Sequence, residues 1–272
     1  MLPDIITRWF DARGWRVRRH QAEMVAAADA GRHALLVAAT GAGKRLAGFL
    51  PTLADLARNP AEGLHTLYVS PLKALAADVE RNLLTPIAET GLPVRVETRT
   101  GDTPSDRKAR QRAAPPHILL TNYAMLEYLL LRPDDSPLFD GPSSGRWRFI
   151  VLDEAHVYGG AQGTEVAMLL RRVKDRVQGG GGGRLQCFAT SATLGRGRED
   201  YPALLNFARA LFNEPFEWEE NDSTRQDIVE ATTLSLVRRD AQHELPSSMF
   251  GSLRRAFRSD QEGSTSELAR IV

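Results

Sequence analysis

A glycine-rich turn that ends in a lysine is the first group of residues in this chain that could carry out chemistry. It reads Ala38-Ala39-Thr40-Gly41-Ala42-Gly43-Lys44 and lies between an apolar run, 34–37, and a helical pattern, 46–56. In such a turn, consecutive backbone N–H groups and the helix dipole favour a bound phosphate, and glycine lets the backbone approach it closely. The turn therefore predicts a P-loop that binds a nucleoside triphosphate, through Thr40, Gly41, Ala42, Gly43, Lys44 and Arg45.

One position departs from this pattern. The residue after the lysine is Arg45, where a P-loop ordinarily has a serine or threonine whose hydroxyl binds Mg²⁺. Lys44 supplies the mobile positive charge for the β- and γ-phosphates, whereas a second cation beside it repels a metal ion. We expect nucleotide binding to survive this change and Mg²⁺-dependent hydrolysis to be weakened.

A pair of carboxylates follows a second apolar run. The sequence Phe149-Ile150-Val151-Leu152 leads directly into Asp153 and Glu154. After a strand, such a pair is also typical of a turn or of a helix N-cap. Together with an upstream P-loop, however, the pair predicts a site of ATP hydrolysis. Asp153 then holds Mg²⁺, and Glu154 orients and deprotonates the attacking water.

These residues need strands that end at one edge of a sheet, and the chain alternates short apolar runs with helical patterns. Predicted strands lie at 35–38, 67–69, 94–96, 118–120, 149–152 and 185–189. Predicted helices lie at 44–57, 72–89, 105–112, 123–131 and 163–177. Continuous apolar strands are typical of parallel sheets that are covered on both faces. We therefore predict an α/β fold with a doubly wound, mostly parallel sheet, helices on both faces and ligands at the carboxyl ends of the strands.

The composition excludes several classes of protein. The 272 residues are 42% hydrophobic and 25% charged with a net charge of +1, which is typical of a globular protein with a core rather than of a generally basic nucleic-acid binder. No apolar run is as long as a membrane span, and the N-terminus lacks the order of a signal peptide. The single cysteine, Cys187, excludes an internal disulfide and, within its apolar run, predicts a buried thiol. We predict a cytoplasmic protein without a membrane partner.

The order of the motifs resembles the first RecA-like domain of a superfamily 2 helicase, an ATPase of the DEAD/DEAH-box type. Residues 153–156 read Asp-Glu-Ala-His, and 190–193 contain the Ser-Ala-Thr sequence of this superfamily. The resemblance extends over residues 15–213. It implies that ATP and Mg²⁺ bind here and that Gln21 reads adenine, with Trp15 or Arg18 beside the base. It also implies that Ser191 and Thr193 couple hydrolysis to movement along a strand.

Three further segments, 70–76, 99–102 and 120–123, resemble the nucleic-acid motifs of the superfamily. The resemblance implies contacts with the phosphates of one strand, from Pro71, Lys73, Gly101, Asp102, Thr121 and Asn122. Taken singly, several motif residues also have structural explanations: a helix-surface glutamine, a helix cap at 121–122, and strand-end hydroxyls that are bonded locally. Their order after successive predicted strands favours the functional interpretation.

The wording of the motifs is similar to two branches of the superfamily. Residues 71–83 and 99–103 resemble the large helicase-related (Lhr) group, and 121–126, 153–158 and 163–167 resemble the mitomycin-repair-type DNA helicases. Both branches imply an ATP-driven DNA translocase, with a role in DNA repair or phage defence. DNA is therefore favoured over RNA, although contacts with phosphates do not distinguish the two sugars.

The alternation of strands and helices fades beyond residue 213. We predict an ATP-binding domain at 1–213, with surface loops at 133–145 and 179–183. Residues 214–272 are predicted to be an extension toward a second RecA-like domain, with a weak helical pattern at 245–257. The arginine-finger motif of that second domain does not follow, and such a finger contributes about a thousandfold or more to turnover. We expect the chain alone to hydrolyse ATP very slowly. The alternatives are a degenerate ATPase that regulates a partner by binding nucleotide or DNA, and an RNA helicase domain.

Overall fold

Parallel strands form the centre of the protein in the computed structural model, which describes residues 2–39, 41–60, 62–71, 83–140, 145–179, 185–192 and 197–231. In chain order the strands are β1 (Ala34–Val37), β2 (Thr66–Ser70), β3 (Val96–Thr98), β4 (Ile118–Asn122), β5 (Phe149–Leu152), β6 (Gln186–Ser191) and β7 (Ile228–Glu230). Their order across the sheet is β3-β4-β2-β5-β6-β1-β7, and every neighbouring pair is parallel. The carboxyl ends of all these strands therefore meet at one edge.

Helices cover both faces of the sheet. They are α1 (Asp4–Ala12), α2 (Arg19–Asp29), α3 (Lys44–Arg58), α4 (the helical residues 83–90), α5 (Ser105–Ala113), α6 (Tyr123–Leu131), α7 (Gly160–Gly179) and α8 (Tyr201–Phe212). Short 3₁₀ helices include Pro133–Leu138, Ala155–Val157, Arg198–Asp200 and Ser223–Arg225. None of the described helices combines the length and apolar character that crossing a bilayer demands.

The two faces of the sheet bury different side chains, because successive residues of a strand point in opposite directions. On one face, Tyr68, Val151 and Phe188 lie side by side on β2, β5 and β6 and pack against α1, α2 and α3. On the other face, Leu67, Ile150 and Cys187 pack against α6, α7 and α8. Strands that are buried on both faces explain the continuous apolar runs of the sequence.

The predicted doubly wound parallel sheet is confirmed, with differences at its margins. The sequence analysis did not predict α1, α2, α8 or β7, and β3 lies two residues later than predicted. The segment 133–145, predicted as a loop, begins with the 3₁₀ helix Pro133–Leu138. Residues 72–82, 180–183 and 245–257, for which a helix, a glycine loop and a weak helix were predicted, lie outside the described residues.

Strand β7 lies in the segment 214–272 that the sequence analysis assigned to an extension. It pairs with β1, with Leu36 opposite Val229. The described residues all belong to one compact unit, 1–233, and the remaining residues of the predicted extension lie outside the described part of the chain.

The buried thiol is where the sequence places it. Cys187 lies on β6 and is fully buried, and burial raises the pKa of its thiol to about 12. A thiol in this state is a small apolar side chain of the core rather than a nucleophile.

Candidate active site

The glycine-rich turn connects β1 to α3 and has the backbone that a P-loop requires. Gly41 and Gly43 have φ angles of +82° and +76°, left-handed conformations that favour glycine. Helix α3 begins directly afterwards, at Lys44, and the first N–H groups of any helix have no partner within it. Ala42 lies between the two glycines, and Thr40 lies outside the described residues. The turn therefore presents helix N–H groups and a lysine at the carboxyl edge of the sheet.

The carboxylate pair converges on this turn from β5. The Nζ of Lys44 donates to both carboxylate oxygens of Glu154, at 2.6 and 2.7 Å. The Lys44 side chain is 7% exposed and the Glu154 side chain 22% exposed. We name this ion pair the P-loop pair. Two motifs that are 110 residues apart in sequence thus meet in one place, as an ATPase site requires.

Asp153 lies next to the P-loop pair and is fully buried. Its Oδ1 accepts hydrogen bonds from the hydroxyl of Thr190 at 2.5 Å and from the N–H of Glu154 at 3.1 Å. Its Oδ2 is buried and makes no hydrogen bond to any described residue. The hydroxyl of Tyr68 is in the same condition, and burial, followed by the charge of Asp153, raises the Tyr68 pKa well above its ordinary value.

The residues after Asp153 turn sharply. Glu154 has a φ angle of +50°, a conformation that costs a residue with a side chain energy and that clusters at functional sites. The turn brings the Nδ1 of His156 to 3.2 Å from the Ser191 hydroxyl and to 3.5 Å from the Glu154 carboxylate. Ser191 at the end of β6 is thereby linked to the acidic pair, whereas Thr193 lies outside the described residues.

Gln21 lies on α2 directly beside the P-loop. A Cβ atom on Gly43 would be 3.1 Å from the Gln21 Nε2, and the Gln21 Oε1 accepts a hydrogen bond from the N–H of Arg18 at 2.9 Å. A cleft of about 670 Å³ opens at this point, with Trp15 and Arg45 in its wall. The residues that the resemblance assigns to adenine therefore share one cleft next to the P-loop.

Arg45 lies between two parts of the site. It lines this cleft, and its charge also reaches Tyr68, the residue beside Asp153. It is half-buried, and no hydrogen bond or ion pair joins it to another described residue. Its positive charge lowers the pKa of Tyr68, in opposition to Asp153. Position 45 thus places a cation, and no hydroxyl, close to the carboxylate that was predicted to hold Mg²⁺.

The predicted nucleic-acid residues that the structure describes lie at the same edge of the sheet, at the ends of β2, β3 and β4. Gly101 and Asp102 are exposed, and Pro71 is half-buried. The strands are neighbours in the order β3-β4-β2, so their carboxyl ends are also neighbours. Lys73 lies outside the described residues.

Thr121 and Asn122 are buried, and their side chains are used within the protein. The Thr121 hydroxyl donates to the carbonyl oxygen of Arg99 at 2.8 Å. The Asn122 Oδ1 accepts the N–H of Met125 at 2.9 Å and caps α6. The helix-cap explanation therefore describes Asn122, and a contact between these two residues and a nucleic acid stays a prediction.

A buried ion pair holds the loop that contains Gly101. Arg99 and Asp135 are 1% and 0% exposed, and the Nη2 of Arg99 donates to the Asp135 Oδ1 at 2.5 Å. The Nη1 of Arg99 donates to Gln111 at 3.1 Å. We name Arg99 and Asp135 the buried pair. Burial lowers the pKa of Arg99, and the neighbouring Asp135 opposes that shift.

The sequence analysis gave no role to Tyr68, Thr190 or Asp135. Thr190 directly precedes Ser191, which the motif identified. Its hydroxyl near the end of a strand could have indicated a role in the site. Tyr68 carried no signal of its own, because an aromatic residue within an apolar strand is ordinarily part of the core. Asp135 lies in a segment predicted to be a surface loop, where an acidic residue is expected to be solvated.

Comparison with known proteins gives a consistent set of relatives. The DEAD/DEAH box helicase family model matches residues 18–201. The chain is 40% identical over 167 residues to the Lhr helicase/probable uracil glycosylase of Mycolicibacterium smegmatis, a match that covers 56% of this chain and 11% of that protein.

Solved structures agree with this result. The helicase MrfA bound to DNA has a TM-score of 0.70 and 27% identity, over 84% of this chain and 29% of that one. Mycobacterium smegmatis Lhr bound to ssDNA and AMP-PNP has a TM-score of 0.65 and 30% identity, over 85% and 28%. Both branches suggested by the wording of the motifs are among these matches. The chain spans less than a third of each of these relatives.

Proposed function

The chain belongs to the DEAD/DEAH box helicase family, and from that premise we propose that it is the ATP-binding motor domain of an ATP-dependent DNA helicase or translocase. The observation that carries this proposal is the P-loop pair, in which Lys44 binds Glu154 at 2.6 Å. It places the phosphate-binding lysine and the predicted general base within one site. DNA is favoured as the nucleic acid because two similar structures are named as bound to DNA and to ssDNA. DNA repair and phage defence stay the two proposed settings.

The P-loop pair has a direct part in the proposed mechanism. A bound polyphosphate competes with Glu154 for the Lys44 ammonium, because both present anionic oxygens. Lys44 then moves toward the phosphates, and the Glu154 carboxylate becomes able to accept the proton of the attacking water. His156 contacts both Glu154 and Ser191, so it is placed to relay this change from the site to β6.

The residues around Asp153 fit a magnesium ion. Mg²⁺ prefers oxygen ligands and in nucleotide sites uses one or two carboxylates together with phosphate oxygens. Asp153 offers one carboxylate oxygen, Oδ2, that no described group occupies. When bound, Mg²⁺ neutralises charge that develops on the phosphates. Asp153 would hold the ion, while Arg45 supplies no hydroxyl to it.

Turnover is proposed to need a second RecA-like domain, in the same chain or in a partner chain, that supplies arginine fingers. Such fingers contribute about 10³–10⁵ to turnover in related phosphoryl-transfer enzymes. The chain alone is therefore proposed to bind ATP and to hydrolyse it very slowly. Pro71, Lys73, Gly101, Asp102, Thr121 and Asn122 are the proposed contacts with the nucleic-acid strand.

Arg45 supports a second candidate function. A degenerate ATPase that regulates a partner would bind nucleotide without efficient hydrolysis, and the loss of a Mg²⁺-binding hydroxyl has that effect. The contact between Lys44 and Glu154 argues for retained hydrolysis, since both groups stay in place. Glu154→Gln separates the two in the protein that includes the second domain: loss of biological function supports hydrolysis, and retained function supports the regulatory candidate.

Nucleotide binding by the 272-residue chain tests the main proposal. We expect a fluorescent ATP analogue to bind and Lys44→Met to weaken it by about 1.5–3 kcal/mol, the strength of a hydrogen bond to a charged group, or roughly ten- to hundredfold. Lys108→Met is the matched control, because Lys108 lies on α5 and donates to Gly101, at the other end of the edge. No binding, or equal effects of the two variants, would contradict the proposal.

A further inference from the structure

Two buried oxygen atoms at the base of the P-loop lack hydrogen bonds within the described structure. They are the Oη of Tyr68 and the Oδ2 of Asp153, and both residues are 0% exposed. A buried polar atom without a partner is costly, and in a native protein it calls for an explanation such as an ion or a bound group. Here both atoms lie where the proposed function places a metal ion.

The neighbours of Tyr68 fix its ring and explain its position. The ring stacks on Phe49, with centroids 4.4 Å apart and an interplanar angle of 15°. Phe49 belongs to α3, the helix that begins with Lys44 and Arg45. The side chain of Tyr68 is therefore held rigidly beneath the P-loop, on the same face of the sheet as that helix.

Of the two carboxylate oxygens of Asp153, one accepts hydrogen bonds from described residues and the other does not. Its Oδ1 is occupied by Thr190 and by the N–H of Glu154, which fixes the orientation of the carboxylate. A carboxylate oxygen has two lone pairs, so its Oδ2 can bind a metal ion and accept a hydrogen bond at the same time. Burial, followed by the charge of Asp153, raises the pKa of Tyr68, so the two groups lie close together, and the phenol O–H is a hydrogen-bond donor.

We propose that Tyr68 is a positioning residue whose hydroxyl donates a hydrogen bond to Asp153 Oδ2 when nucleotide and Mg²⁺ are bound, and so partly replaces the P-loop hydroxyl absent at Arg45. This inference rests on the proposed function. With an arginine at position 45, the ion has one protein ligand fewer, and its binding depends more on how firmly Asp153 is held. Groups that orient a metal ligand contribute about ten- to hundredfold to metal affinity.

The test is a double-mutant cycle on the full 272-residue chain. The affinity of a fluorescent ATP analogue is measured in EDTA and in excess MgCl₂, and the ratio of the two is the Mg²⁺ enhancement. We expect Tyr68→Phe to lower this enhancement about tenfold and to leave the affinity in EDTA unchanged. In the Arg45→Thr background, which restores the hydroxyl, the same change should cost less than about twofold.

Tyr158→Phe is the matched control. Its hydroxyl is also buried and without a hydrogen bond among the described residues, and burial, followed by the charge of Asp153, raises its pKa. It packs on the opposite face of the sheet, however, near Tyr123. The Mg²⁺ enhancement should not change in this variant. Phenylalanine at position 68 keeps the stack on Phe49, and restoration of the enhancement by Arg45→Thr excludes misfolding as the cause of a loss.

Each other outcome has one meaning. No loss in Tyr68→Phe, or no Mg²⁺ enhancement in the unchanged chain, overturns the role of Tyr68. An equal loss with arginine and with threonine at position 45 overturns the replacement of the missing hydroxyl. Absence of nucleotide binding both in EDTA and in MgCl₂ overturns the proposed function itself, so the two failures are distinguishable.

Discussion

Two ion pairs lie near the carboxyl edge of the same sheet and differ in what surrounds them. The P-loop pair joins Lys44 to Glu154, whose carboxylate is 22% exposed. The buried pair joins Arg99 to Asp135, which are 1% and 0% exposed. In the first pair, solvent reaches the carboxylate. In the second pair, protein encloses both charges.

This difference indicates two different uses of a salt bridge. An ion pair that solvent can reach contributes little to stability and is easily exchanged for another partner. A buried pair contributes to the fold mainly because the loss of one partner leaves a charge that water cannot solvate. The P-loop pair is therefore suited to give up Lys44 to a phosphate, and the buried pair is suited to hold the 100–103 loop in one place.

The largest expected effect comes from breaking the buried pair. Arg99→Met removes the nearest partner of the buried Asp135 carboxylate, and breaking a buried ion pair typically costs about 3–5 kcal/mol of stability. We expect the free energy of unfolding, measured by urea denaturation, to fall by up to that amount. Arg112 and Arg132 lie 3.6 and 3.7 Å from Asp135 and moderate the loss.

The double variant Arg99→Met/Asp135→Leu is the control for this prediction. It removes both buried charges and leaves only Arg112 and Arg132, which solvent reaches, so it should recover a large part of the lost stability. A double variant that is less stable than Arg99→Met would show that Asp135 has partners more important than Arg99.

The next effect concerns Arg45, which follows Lys44 in the P-loop and makes no ion pair with another described residue. Arg45→Thr restores a hydroxyl to the P-loop, and we expect Mg²⁺-dependent turnover to rise by about tenfold, the scale of one metal-orienting group. The measurement is ATP turnover with and without DNA, in a protein that includes the second RecA-like domain. Equal turnover in both forms would show that Arg45 does no harm.

A smaller effect on stability is expected from pH, through His20 on α2 near the P-loop. Burial and the nearby Arg18 lower the pKa of His20, although Ala42 and Glu23 oppose the shift. The folded chain then binds a proton less readily than the unfolded chain, so stability falls as pH drops below about 6.5. The slope is at most about 1.4 kcal/mol per pH unit. Between about pH 7.5 and about pH 5.5, the free energy of unfolding should fall more in the unchanged chain than in His20→Gln. Equal falls in the two proteins would contradict this.

The comparison of the two pairs also shows how far a sequence leads. The P-loop and the acidic pair were predictable because each follows a strand and all parallel strands end at one edge. Strand β7 was not predictable, since Ile228–Glu230 is too short to show a period. Asp135 was not predictable either, because residues distant in sequence, among them Arg99 and Arg112, lie against its carboxylate.

Asn122 teaches the same lesson in the opposite direction. Its motif favoured a contact with nucleic acid, and the structure shows its side chain capping α6. One residue can satisfy both descriptions only through different atoms, because the cap occupies the side-chain oxygen and leaves the side-chain Nδ2 to a ligand. Sequence order identifies such a residue, and only the structure shows which of its atoms are still available.

The smallest expected effect is the sharpest test of the comparison. Lys44→Met breaks the P-loop pair just as Arg99→Met breaks the buried pair, and the replacement residue is the same. Because Glu154 stays within reach of water, we expect the free energy of unfolding to change by less than about 1 kcal/mol. Urea denaturation of the two variants side by side gives the answer. If Lys44→Met lowered the free energy of unfolding as much as Arg99→Met, the P-loop pair would be a structural ion pair. A phosphate could then not displace Glu154 from Lys44 as the proposed mechanism requires.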